Sequence, residues 1–265
     1  MDLGLRDRAC IVTGASRGVG RATALLLASE GAAVLLVGRD ADALGDARAA
    51  CRAAGGRAET VAVDVTSASA PGLLAAACDA AFGRIDALVN GAGATRSRPH
   101  DELSDGEWQA QWELHVMAPM RLMRLLAPRM AEAGWGRIVN VSSSSGKRPS
   151  GTNMAYGVTK AAVLSLSRAF ADIYAAQGVL VNAVAPGPLD GNLWTAPGGL
   201  ADQLAGRRGS TREQVLADTA ARIPRGRLGT EREIASVIVF LCSEAAANVA
   251  GAAWSVDGGT VPVII

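Results

Sequence analysis

The sequence is poor in the features that mark specialised classes of protein. Aromatic residues are 4% and charged residues 19% of its 265 positions, the latter below the ~25% of ordinary domains. With 49% apolar residues, this balance excludes an intrinsically disordered chain, which carries much charge and little to bury. Lys and Arg, 26 in all, offset 25 Asp and Glu to a net charge of +1, so there is no global field to hold nucleic acid or an anionic membrane surface. No uninterrupted apolar run approaches the ~20 residues that span a bilayer. The opening segment MDLGLRDRAC has neither a signal-peptide core nor a transit pattern. A soluble, cytoplasmic protein is expected. The four cysteines, Cys10, Cys51, Cys78 and Cys242, form no CxxC, and His100 and His115 are the only histidines. That is a poor set for zinc, so buried free thiols and no metal are expected.

Glycine, by contrast, is abundant at 31 residues. Without a collagen period these residues must serve turns and close backbone approaches. Between them run short apolar or β-branched segments that predict seven strands: Ala9–Thr13, Ala33–Val37, Ala58–Val63, Ala87–Asn90, Arg137–Val141, Val179–Val184 and Ala252–Val256. Apolar residues at three- and four-residue spacing predict helices over Gly18–Ser29, Asp42–Ala54, Ser67–Phe82, Ser104–Glu132, Asn153–Ala176 and Glu231–Leu241. Capping-box patterns start at Ser104, Ser210 and Thr230, each with Glu three residues on. Gly31, Gly55, Gly83, Gly134 and Gly178 follow helical runs as stop signals. Strict alternation of strand and helix implies an α/β fold, a doubly wound Rossmann-type parallel sheet of about seven strands with helices on both faces. No Pro/Gly/Ser linker divides the chain, so residues 1–265 are expected to form one domain. The one long irregular stretch, 186–222, reads as a lid over a site.

Three clusters carry chemistry. Thr13-Gly14-Ala15-Ser16-Arg17-Gly18-Val19-Gly20 joins the first strand to a helix. Free N–H groups and the helix dipole there favour a phosphate, and the missing side chains admit a pyrophosphate. The spacing is neither that of a Walker loop nor GxGxxG. Asn90-Gly91-Ala92-Gly93 follows the fourth strand, at the edge where ligands of open α/β sheets bind, and Asp64 closes the third. Tyr156 and Lys160 stand four apart, on one face of a helix. There a cation can stabilise tyrosinate and lower the phenol toward working pH for general acid/base chemistry. Ser142, Ser143, Ser144 and Ser145 end the fifth strand beside that helix.

Together these residues resemble the short-chain dehydrogenases/reductases over nearly the whole chain. TGASRGVG is similar to the family's TGxxxGxG loop, NGAG to its NNAG with Gly91 for one Asn, and YGVTK to its YxxxK. NVSS resembles the preceding serine motif, and Ser143 lies at the usual distance before Tyr156. Asn182–Gly187, Gly251 and Val256–Gly259 resemble later segments. The resemblance implies a nicotinamide cofactor, hydride transfer between it and a ketone or secondary alcohol, and a catalytic set of Ser143, Tyr156, Lys160 and His115. It assigns Gly14, Ser16, Arg17, Gly18, Val19, Gly20, Arg39, Asp64, Val65, Asn90, Gly91, Ala92, Tyr156, Lys160, Pro186, Gly187 and Leu189 to cofactor binding. It also implies pairing of subunits through the long helices into a homotetramer or homodimer, with the apolar tail Val261–Ile265 buried at an interface.

Two positions depart from the pattern. His115 stands where most members have asparagine, and Pro188-Leu189-Asp190-Gly191 replaces a segment that often carries a threonine. Arg39 after the second strand, with Arg17, suits a 2′-phosphate and so NADP, with NAD as the alternative and Asp40 softening the preference. A 3-oxoacyl-thioester reductase, a catalytically weak nucleotide-binding member and a nucleotide-sugar epimerase or dehydratase of the related extended type are the competing readings. Leu193, Trp194 and Leu200 suggest an apolar substrate wall, and Arg96, Arg98, Lys147 and Arg148 a basic mouth. A thioester, a cyclic or aromatic ketone, a steroid and a polyol all remain open as substrates.

Overall fold

The computed structural model describes residues 2–262. Its strands are β1 (Ala9–Thr13), β2 (Ala33–Gly38), β3 (Arg57–Ala62), β4 (Ala87–Asn90), β5 (Gly136–Val141), β6 (Val179–Pro186), β7 (Leu189–Asp190), β8 (Gly229–Thr230) and β9 (Ala253–Val256). The helices are α1 (Gly18–Ser29), α2 (Ala41–Ala53), α3 (Ala70–Phe82), α4 (Asp105–Trp112), α5 (Ala118–Glu132), α6 (Ser144–Lys147), α7 (Met154–Tyr174), α8 (Asn192–Thr195), α9 (Leu200–Arg208), α10 (Arg212–Ala221) and α11 (Glu231–Leu241). Seven strands make one parallel sheet in the order β3-β2-β1-β4-β5-β6-β9, and β7 pairs separately with β8.

The inner strands β1, β2, β4, β5 and β6 are buried on both faces, as their largely apolar runs require, while the edge strands β3 and β9 are partly exposed. On β1, Cys10 and Val12 face a core with Leu27 of α1, Leu44 of α2 and Ile238 of α11. Ala9 and Ile11 face the opposite core, with Leu74 of α3 and Leu122 and Leu126 of α5. All four cysteines are buried free thiols; burial pushes Cys51 up to about 11 and Cys78 and Cys242 up to about 12, so none is a thiolate at neutral pH. Strand order reverses between β1 and β4, and the crevice above their carboxyl ends is where such sheets bind ligands.

The five glycine stop signals all adopt left-handed backbone, φ between 69° and 98°, where a Cβ is penalised. The capping boxes at Ser104 and Thr230 form. The third is displaced by one residue: Thr211, not Ser210, caps α10 by accepting from the Gln214 N–H at 3.2 Å. Ser210 is occupied in closing α9, its N–H donating to the Ala205 carbonyl past left-handed Gly209. The helix expected from Ser67 begins at Ala70, with Pro71 in its first turn.

Two expectations need larger correction. The stretch expected as one helix over Ser104–Glu132 is broken by a π segment, Glu113–Met117, between α4 and α5. Pro119, four residues beyond His115, has no N–H to give its carbonyl and crowds it with its ring, so the helix widens there. The stretch 186–222 is not irregular: it holds β7, α8, α9 and α10, and α9 and α10 pack on each other through Ala201, Ala205 and Val215.

Candidate active site

The site is assembled first by Thr13 at the end of β1. Its hydroxyl donates to the Val89 carbonyl (3.3 Å) and accepts the N–H groups of Gly91 (3.0 Å) and Ala92 (3.2 Å), locking the loop after β4 against the loop after β1. Side chains are excluded here by contact. A Cβ on Gly20 would lie 2.3 Å from the Gly14 carbonyl oxygen, one on Gly14 2.8 Å from that of Gly91, and one on Gly91 2.7 Å from that of Thr13. The result is bare backbone at the N-terminus of α1, with left-handed Gly14 and Gly18. Arg17 precedes α1 and makes no side-chain cap bond.

The second half comes from β5 and α7. The Ser142 hydroxyl donates to the Lys160 carbonyl at 2.7 Å, and the Lys160 ammonium donates to the Val141 carbonyl at 2.7 Å. Lys160 is 4% exposed, and burial pushes it down to about 7. Its nitrogen lies 5.6 Å from the centre of the Tyr156 ring. The sequence suggested that this cation would lower the phenol. Instead burial holds Tyr156 above its ordinary value, opposed by the Ser143 hydroxyl. Tyr156 is therefore a protonated phenol at neutral pH. Ser143 caps α6, its oxygen accepting the Ser145 N–H at 3.1 Å.

His115 is 1% exposed and meets Tyr156 edge-on, ring centres 5.3 Å apart. Its Nε2 accepts the Ala94 N–H at 3.3 Å, so the ring proton sits on Nδ1. Nδ1 donates to the Thr159 hydroxyl at 3.0 Å, and that hydroxyl donates to the Tyr156 carbonyl at 2.9 Å. Both ring nitrogens are engaged, and burial, with the nearby Lys160 charge, pushes the imidazole down to about 2. His115 is a neutral brace between the β4 loop and α7.

These groups border one cavity of about 1030 Å³. It is lined by all the catalytic and cofactor residues assigned from the sequence except Asn90 and His115; of the expected basic mouth only Arg96 lines it, since Arg98 pairs with Glu107, Lys147 donates to the Ala253 carbonyl, and Arg148 lies off the cavity wall. The Asn90 amide turns instead to its β5 neighbour Asn140, donating at 2.7 Å, and Asn140 donates on to Ser167 of α7 at 2.9 Å. Asn90 thus ties the sheet to the helix behind the site. Asp64 accepts the N–H and hydroxyl of Thr66, which with Arg39 nearby hold its carboxyl below the usual range. Asp40 is committed to capping α2 through the Ala43 N–H at 3.1 Å. Arg17 and Arg39 are exposed at the rim and form no ion pair among the described residues. Thr13, Asn140 and Thr159 do structural work that no spacing in the sequence revealed, since each acts through a partner distant in the chain.

The cradle fits a dinucleotide. A Cβ would fill it at Gly14, Gly20 and Gly91, and one on Gly187 would strike the Asp257 backbone at 2.8 Å; what is left is backbone N–H, a helix N-terminus and two free guanidiniums, a donor set for phosphate. Comparison with known proteins agrees. The short chain dehydrogenase family pattern matches residues 8–197. Cis-4-hydroxycyclohexanecarboxylate dehydrogenase of Sinomonas cyclohexanicum is 40% identical over 258 residues, 97% of this chain and 98% of that one. Short-chain reductase protein NovJ of Streptomyces niveus is 37% identical over 255 residues, 96% and 94% of the two chains. The crystal structure of L-sorbose reductase from Gluconobacter frateurii, complexed with NADPH and L-sorbose, superimposes with a TM-score of 0.93 over 100% of both chains at 34% identity. With its Rossmann-type sheet, glycine cradle and Ser143, Tyr156 and Lys160 on one wall, the chain belongs to the short chain dehydrogenase family and is an NAD(P)-dependent oxidoreductase acting on alcohol and ketone substrates.

Proposed function

We propose that the protein is an NADP(H)-preferring ketone reductase or secondary-alcohol dehydrogenase in which Tyr156 handles the proton at the substrate oxygen. The observation that carries this is a phenol kept protonated on the cavity wall, between the Ser143 hydroxyl and the neutral His115 ring. Ser143 hydrogen-bonds the substrate oxygen and orients it. Tyr156 gives its proton to a carbonyl oxygen on reduction; on oxidation the phenol first releases its proton to solvent and the tyrosinate then takes the hydroxyl proton. Lys160 holds the nicotinamide ribose, and its charge offsets the tyrosinate left by reduction. His115 is a positioning residue: it fixes the turn of α7 that carries Tyr156, while its own carbonyl, denied an α-helical donor by Pro119, is free to hold a relay water.

The cradle of Gly14, Ser16, Gly18, Val19 and Gly20 would hold the pyrophosphate, Asp64 and Val65 the adenine, Gly91, Ala92, Pro186, Gly187 and Leu189 the nicotinamide half, and Arg17 and Arg39 a 2′-phosphate. A bound nicotinamide supplies or removes the hydride. NADP is favoured because neither guanidinium is held in an ion pair among the described residues: of the two acids near Arg39, Asp40 caps α2 through the Ala43 N–H and Asp64 accepts from Thr66. Residues 1–265 act as one cofactor-binding and catalytic unit in the cytoplasm, with 186–222 closing the substrate side. No helix among the described residues is long and apolar enough to cross a membrane. A cyclic or polyhydroxylated alcohol or ketone is the substrate class, supported by the ring alcohol and the sugar named for the two relatives above.

A panel of ketones and alcohols followed at 340 nm with each cofactor tests this. Higher kcat/KM with NADPH, shifted toward NADH in Arg39→Asp, is expected. A cofactor ratio that does not move in the variant would overturn the assignment of Arg39.

A further inference from the structure

The substrate side of the cavity leaves polar side chains without partners, and they cluster. The Thr95 hydroxyl, on a residue 8% exposed, and the Asn153 amide oxygen are buried with no hydrogen-bond partner among the described residues, and both residues line the cavity. Arg96, next to Thr95, lines it too and makes no ion pair among the described residues. The two segments are joined: the Arg98 N–H donates to the Thr152 carbonyl at 2.7 Å, which ties the stretch of chain that follows Thr95 and Arg96 to the residue before Asn153, at the cap of the turn that carries Tyr156.

Their neighbours are already satisfied. Glu113 takes Arg121 at 2.9 Å and Gln109 at 3.2 Å, and Gln203 takes the Ser97 N–H at 2.9 Å and gives to the Gly198 carbonyl at 2.8 Å. Arg98 and Arg207 are paired with Glu107 and Glu102. Arg96, exposed on the cavity wall and near Glu107 but held in no ion pair of its own among the described residues, thus shares the cavity with two unsatisfied neutral groups and the phenol.

Resting on the dehydrogenase reading above, we infer that the substrate is a hydroxycarboxylic acid, or the matching oxo acid. Its carboxylate pairs with Arg96, and a hydroxyl or carboxylate oxygen engages Thr95 and Asn153. A guanidinium fork matches a carboxylate in plane and charge, whereas a phosphate dianion would call for more cationic donors than this end provides. A buried hydroxyl and amide left unpaired are costly, and a bound substrate that satisfies them gains the difference. Oxidation converts the hydroxy acid to the oxo acid as NADP⁺ is reduced, the hydroxyl proton leaving through Tyr156.

The test is reduction, with NADPH at 340 nm, of two matched pairs: 4-oxocyclohexanecarboxylate with its carboxamide, and 5-oxohexanoate with its amide. For at least one pair the acid is expected to exceed the amide in kcat/KM by about tenfold or more. In Arg96→Gln that ratio should collapse, mostly through KM, and in Arg96→Lys it should partly return. Equal use of acid and amide by the wild type, an unaltered ratio in Arg96→Gln, or a ketone phosphate ester used better than the acids overturns the inference. So does turnover of neutral ketones but of neither acid, which leaves the dehydrogenase reading standing. Turnover of no ketone with either cofactor overturns both.

Discussion

Lys160 is nearly buried, with its ammonium on a backbone carbonyl, and is pushed down to about 7, whereas in an unfolded chain it would titrate near ~10.4. Between those values the unfolded state binds the extra proton, so stability must rise with pH across that window and level off below it. Thermal melts from pH 7 to 10 should therefore show the wild type gaining on Lys160→Met as pH rises. A constant gap would mean that the lysine is not desolvated as described. His115 makes the opposite point. Pushed down to about 2 with both nitrogens engaged, it contributes no ionisation in the working range, although imidazole is ordinarily the group that titrates there. His115→Asn should keep kcat within about tenfold and leave the pH profile unchanged above pH ~5. Loss of an ionisation near neutrality in that variant would restore the imidazole to the proton path.

At the scale of elements, the break between α4 and α5 positions His115, and Pro119 causes it. Pro119→Ala should let the helix run through and draw the His115 carbonyl into an ordinary bond. The melting temperature should hold or rise, since proline costs ~3 kcal/mol in a helix interior, while kcat should fall about tenfold or more. Wild-type kcat in a helix shown to be continuous would contradict this. Elements and site differed in how well the sequence disclosed them. Strands β1 and β4 and helices α1 and α11 have the bounds their patterning predicts, because the strands are apolar runs buried on both faces and the helices bury one apolar face and end near signals such as Gly31. The helices of 186–222 were hidden because they are short and bury little beyond Leu200, Ala201, Ala205 and Val215. Cavity-lining residues were legible where a local motif fixes backbone shape, as at Gly14 and Gly20. That Asn90 turns its amide away from the cavity was hidden, since its partner Asn140 lies on the next strand and only the register brings the two together. The direction of the phenol's pKa was hidden for a like reason: burial is a property of the packed fold, and it is burial that raises Tyr156.

For the whole molecule, apolar side chains remain uncovered on the adjoining helices α4, α5 and α7: Trp112, Leu125, Val158 and Ile173, the last 57% exposed. Exposed apolar side chains of this kind suit an association surface, and the homotetramer or homodimer proposed from the family resemblance would bury them. Sedimentation velocity at micromolar concentration should give an oligomer in the wild type and smaller species in Leu125→Glu/Ile173→Glu; a wild-type monomer would contradict it. The tail expected at an interface is only partly in view, with Val261 buried against its own chain and residues 263–265 outside the described range. All of these features serve one arrangement, a glycine cradle facing a protonated Tyr156 across a single cavity. The most direct test of it is Tyr156→Phe, assayed at 340 nm beside NADPH binding followed by fluorescence. The phenol is the proton donor and its loss removes little volume, so NADPH affinity should stay within about threefold while kcat falls about 10²- to 10⁴-fold; a variant retaining more than a tenth of wild-type kcat would contradict the account.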